Sequence, residues 1–131
     1  IIKIKTIPAI SLDILKNIDI FKIKERRKSN INFLYRNLTK KNIFLFRRDD
    51  IKSPFVLPLV FKNNGERENF RKKLIDNNIF PPIHWNLNNI INENYLAEHK
   101  LSKRILSIPI DQRYSPKNFK KIIYILNSQN L

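Results

Sequence analysis

The sequence predicts an α+β fold: a small two-layer domain, mainly antiparallel sheet with helices packed on one face, preceded by a long linking helix. Three observations predict it. Apolar residues recur at helical spacing from Asp19 to about Thr39 and again from Phe119 to Leu126. Short runs rich in Ile, Leu, Val and Phe ("NIFLFRR", "PFVLPLVF", "ILSIPI") have strand length and turn residues around them. Helices and strands are interspersed along 131 residues, of which 42% are hydrophobic, enough for one domain with a real core.

The elements follow in order. Ser11 can cap a short helix over "LDILKN". In the long helix, Ile20, Ile23, Ile31, Leu34, Tyr35 and Leu38 share one face, and Arg27 falls on the same stripe. An arginine there either snorkels to solvent or pairs with a carboxylate or a ligand anion. Asn42–Arg48 and Pro54–Phe61 read as strands. Pro58 lies inside the second and cannot donate to a ladder, so it marks an edge or a bulge. Asn63-Asn64-Gly65 is turn chemistry. A helix from about Glu66 to Asn77 turns Phe70 and Leu74 inward. Asn77 or Asn78 ends it in the left-handed conformation. "IFPPIHW" is extended, because each proline biases its predecessor away from helix. After a loop-like "NLNNIINEN", "YLAEHKLSKR" is a short helix and Ile105–Ile110 an interior strand. Ser115-Pro116 then start a last helix that buries Phe119, Ile122, Ile123 and Leu126.

Composition narrows the function. There is no cysteine and only two histidines, so disulfides and a structural zinc site are not expected. The single glycine, Gly65, rules out a glycine-rich phosphate loop. No apolar run approaches the roughly 18 residues of a membrane span, and "IIKIKTIPAI" lacks the features of a signal peptide. The expected location is cytoplasmic, without membrane association. With no methionine present, Ile1 is not expected to be a native translation start. A net charge of +15 raises the question of nucleic acid. Yet Ile, Lys and Asn make up 58 of the 131 residues, a bias that AT-rich codons produce by themselves. The basic residues are spread along the chain, and the glycine-aromatic strand motif of RNA-recognition sheets is absent. Only nonspecific, salt-sensitive nucleic-acid binding is expected.

Four strings in order point further. "IDIFKIKERRKSNINFLYRNL" carries an Arg-Arg pair ahead of a Tyr and a Leu. "FVLPLVF" has its internal proline. "RKKLIDNNIFPPIHW" is a leucine helix, then Asn-Ile, then an extended end in His-Trp. "LSKRILSIPIDQRYSPKNFKKIIYIL" is a strand ending in Ile-Pro followed by a helix. Together, over about Ile18 to Leu126, they resemble the C-terminal small domain of the DegT/DnrJ/EryC1/StrS family of pyridoxal-phosphate-dependent sugar aminotransferases of fold-type I. Asn78 stands where that family usually has glycine, Trp85 where tyrosine is common, and Asn118 where an acidic residue is common.

The resemblance implies a division of the chain. Residues 1–40 would be a helical segment leading from a missing N-terminal large domain, and 41–131 the small α+β domain. The Schiff-base lysine and phosphate cup would lie in the large domain. Pyridoxal phosphate would then be bound by the complete enzyme, not by this chain alone, which would be inactive. The small domain would cover the active-site cleft of a homodimeric enzyme acting on a nucleotide-linked sugar. The resemblance places His84 and Trp85 at the cleft edge of the sheet, near the end of the Pro54–Phe61 layer, as substrate-binding candidates. Their alternatives are a satisfied strand-end histidine and a core tryptophan. Arg27 and Arg113 are candidates for holding a diphosphate; for Asp111, Gln112 and Arg113 the alternative is turn capping and surface pairing. No residue is assigned to catalysis, cofactor or metal. Two other readings stay open: a basic nucleic-acid-binding module and a standalone non-catalytic domain of the same fold.

Overall fold

The computed structural model describes residues 6–39, 43–87, 90, 92 and 94–128. Among these residues seven regular elements follow one another: α1 (Ala9–Lys16), α2 (Ile20–Asn37), β1 (Val56–Val60), α3 (Asn64–Ile75), α4 (Leu96–Arg104), β2 (Ile105–Pro109) and α5 (Pro116–Asn127). A 3-10 turn, Arg48–Asp50, precedes β1. The fold is a small α+β domain with helices on one face of a two-stranded antiparallel sheet, as the sequence predicts.

β1 and β2 pair in the register Leu57 opposite Ile108 and Leu59 opposite Leu106. These four side chains share one face and are buried. On them pack Ile31 and Leu34 of α2, Phe70 and Leu74 of α3, and Phe119, Ile122 and Leu126 of α5. Hydrogen bonds from Phe61 N to Arg104 O (3.0 Å) and from Ile110 N to Phe55 O (3.1 Å) close the ladder at both ends. Odd-numbered residues of β1 therefore bond to β2, and Pro58 turns its nitrogen away. Pro109, opposite Val56, does the same from β2. Both prolines occupy positions where a missing N–H costs the pair nothing.

That placement explains a correction. The strand expected over Asn42–Arg48 shrinks, among its described residues, to one bridge between Phe44 and Leu59 and a 3.5 Å bond from Leu45 N to Pro58 O. Pro58 offers no donor on that side, so the ladder stops. The chain is captured instead by the Tyr35 hydroxyl, which donates to Phe46 O at 2.6 Å. Nor does the segment 79–87 join the sheet, since Pro81 and Pro82 lack the donors for it.

Helix ends follow local chemistry. Asp19 Oδ1 accepts from Lys22 N at 2.9 Å and starts α2. Ser11 does not cap α1: it lies inside that helix, and Pro8 holds the cap position with its carbonyl accepting from Ser11 N. α3 ends where Asn78, at φ 60°, lets Ile79 N reach Leu74 O and Asn78 N reach Ile75 O. Asn118, in a position where an acid would serve, accepts from Ser115 N at 2.8 Å and caps α5.

Candidate functional site

β2 runs out at Pro109, and the chain turns through 110–114 before entering α5. α2 holds this turn. Asn30 is fully buried, and its Nδ2 reaches the carbonyls of Ile110, Asp111 and Tyr114 at 3.1, 3.0 and 3.1 Å. Two N–H groups thus serve three acceptors, while Oδ1 is buried without a partner. Sequence reading passed over Asn30. Its signal was position: a short polar residue three after Arg27 and next to Ile31, on the buried side of α2.

Asp111 and Arg113 form a closed pair within the turn. The buried Asp111 carboxylate accepts from Arg113 N at 3.0 Å, from Nε at 2.8 Å and from Nη2 at 2.8 Å. Hydrogen bonding from the Arg113 side chain holds the Asp111 carboxyl below the usual carboxylate range against the opposing effect of burial, with Arg27 adding a smaller pull. The same pairing pushes the Arg113 guanidinium up. Its charge centre also lies 5.9 Å from the Tyr114 ring.

Arg27 differs. Its Nε donates to Gln112 Oε1 at 2.9 Å, and its charge centre sits 5.4 Å from the centre of the half-exposed Phe55 ring. These contacts fix the guanidinium and form no other hydrogen bond to it among the described residues. Arg27 and Arg113 therefore flank one turn: Arg113 commits Nε and Nη2 to Asp111, whereas both terminal nitrogens of Arg27 stay without a hydrogen bond among the described residues and can meet an incoming anion.

His84 lies on the sheet face away from the helices, with the Trp85 ring 5.8 Å from its own. His84 Nδ1 is 2.8 Å from Ser107 Oγ, and Ser107 is buried opposite Pro58. The histidine thus meets the middle of the sheet, because Ser107 is the strand hydroxyl on that face, and not the end of the Pro54–Phe61 layer. Trp85 is 76% exposed, so it is not core, and its backbone sits at φ 57°. A bulky residue in the left-handed region is an outlier that costs roughly 1–3 kcal/mol and clusters at functional sites. Sequence could place Trp85 but not its conformation.

Two residues beyond Ser107, on the same face of β2, Pro109 borders a cleft of about 270 Å³ between Asn78–Phe80, Tyr114 and the start of α5. Neither Arg27 with its partners nor His84 and Trp85 line that cleft. Chemically, the turn offers the Arg27 guanidinium, the Gln112 amide and the Phe55 face, and the sheet face offers an anchored imidazole beside the Trp85 ring. These groups can bind and orient a polar, anionic ligand. They do not fit pyridoxal phosphate: every lysine among the described residues is exposed, and the buried carboxylate is taken by Arg113. Among the described residues no group of three or more His, Cys, Asp or Glu could hold a metal ion, and no helix is long and apolar enough to cross a membrane.

No protein-family profile matches the chain, and no curated protein matches it. Among solved structures, the chain is similar to the sugar aminotransferase CalS13 from Micromonospora echinospora, with a TM-score of 0.67 and 19% identity. The similarity covers 92% of this chain and 34% of that one. The chain thus has the fold of about a third of a sugar aminotransferase.

Proposed function

We propose that this chain is the C-terminal small domain of a pyridoxal-phosphate-dependent nucleotide-sugar aminotransferase of the DegT/DnrJ/EryC1/StrS type. The observation that carries the reading is the fold likeness over 92% of the chain. The four sequence strings support it independently. In this reading residues 1–40 lead in from a large domain, and 41–131 cover the cleft of a cytoplasmic homodimer. The cofactor, when bound, supplies the electron sink for moving an amino group, and the large domain holds it. This chain's part is binding. Arg27, fixed by Gln112 and Phe55, meets a phosphate of the nucleotide-linked sugar. Trp85 offers a stacking face and His84 a hydrogen bond to a sugar hydroxyl. Arg113 acts through the turn it braces.

The test is steady-state amination of a nucleotide-linked keto sugar by the complete enzyme. Arg27→Gln and His84→Ala should each raise KM for the sugar substrate about tenfold or more, the size of one lost charged or polar contact. Wild-type KM in both folded variants would remove these residues from the site.

A further inference from the structure

We propose a second anion site, separate from the Arg27 turn, in the cleft between the end of α2 and the segment 44–48, with a nucleoside phosphate as its ligand class. The cleft has a volume of about 560 Å³ and is lined by Tyr35, Arg36, Phe44, Leu45 and Phe46–Arg48. That size is within the range of small-molecule sites.

The commitments of the arginines single it out. The chain has nine. Arg27 bonds Gln112, Arg48 bonds Asn32 and Asp49, and Arg104 bonds Phe61 O. Arg67 and Arg71 pair with Glu68, and Arg113 with Asp111. Among the described residues this leaves the side chains of Arg26, Arg36 and Arg47 without a hydrogen bond or ion pair. Two of those three line the same cleft. A guanidinium in search of a planar, bidentate acceptor suits phosphate.

The floor is fixed and aromatic. Tyr35 and Phe44 rings lie 4.2 Å apart, and the Tyr35 hydroxyl holds Phe46 O at 2.6 Å. The bridge from Phe44 to Leu59 ties the same segment to the sheet. Phe46 is half exposed and offers a face on which a base can stack. Arg36 lies nine residues after Arg27 on α2, which turns the two side chains to opposite sides of the helix. The proposal therefore does not rest on the substrate-site reading.

The test is calorimetric titration of the 131-residue chain with UDP and ADP at physiological salt, with pyrophosphate and uridine as partial ligands. Either nucleotide should bind more tightly than either partial ligand. Arg36→Gln and Arg47→Gln should each weaken binding about tenfold, Phe46→Leu severalfold, and Arg27→Gln less than twofold. An unchanged melting temperature shows that the variants are folded. Absence of UDP and ADP binding up to 1 mM by the folded wild type would overturn the proposal. So would binding undiminished in the Arg36→Gln/Arg47→Gln double variant. Loss of binding in Arg27→Gln alone would move the nucleotide to the turn site and also overturn it.

Discussion

The buried Asp111 carboxylate is engaged by Arg113 inside the turn, while Arg27 keeps both terminal nitrogens to spare, and this contrast separates stability from binding at the residue scale. The folded Asp111 carboxyl titrates below its unfolded value of about 3.9. The stability it contributes is therefore present above that value and is lost as pH falls through the folded pKa. The melting temperature of wild type should fall on acidification below about pH 4, and the difference from Asp111→Asn should shrink over the same window. A difference that holds constant down to pH 2 would mean that the carboxylate is not stabilised by its partner. His84→Ala should cost on the order of 1 kcal/mol, because the buried Ser107 hydroxyl loses its partner. Trp85→Asn places a residue tolerant of the left-handed region at φ 57°. Calorimetry should show stability unchanged or raised by up to roughly 1 kcal/mol while substrate binding falls. A marked destabilisation would mean that the tryptophan packs as core. Arg27 was legible as an arginine on an apolar stripe, but its partner Gln112, 85 residues away, was not.

At the scale of elements, periodicity was a good guide wherever a helix had a core to face. The second half of α2 buries Ile31, Leu34 and Tyr35, whereas Ile20 and Phe21 in its first turn remain 59% and 74% exposed. The same apolar pattern thus has two fates, decided by what lies beneath it. α5 buries Phe119, Ile122 and Leu126 as its spacing requires, and Ile125 as well. Ile122→Ala should cost about 2–5 kcal/mol in denaturant unfolding, the range for large-to-small core changes. A loss under roughly 0.5 kcal/mol would mean that α5 does not cover the sheet. Where the reading failed, at 42–48, the run had strand composition but no partner edge, because ladder formation depends on the neighbour's donors as well as on the run itself. Pro58 removes the donor that a third strand would need.

For the whole molecule, the fold and the division of labour belong together. Every lysine among the described residues is exposed, and in the proposed reading this chain orients an anionic substrate while the cofactor lysine lies in the large domain. The excess of positive charge is spread over exposed helix faces, with many arginines consumed internally. The most direct test is cofactor trapping: incubate the 131-residue chain, and separately the complete enzyme, with pyridoxal phosphate, reduce with borohydride and map the modified lysine by mass spectrometry. The account predicts one stoichiometric adduct in the complete enzyme, located outside these 131 residues, and only scattered, substoichiometric modification of the chain alone. A single stoichiometric adduct on one lysine within the 131 residues would contradict it.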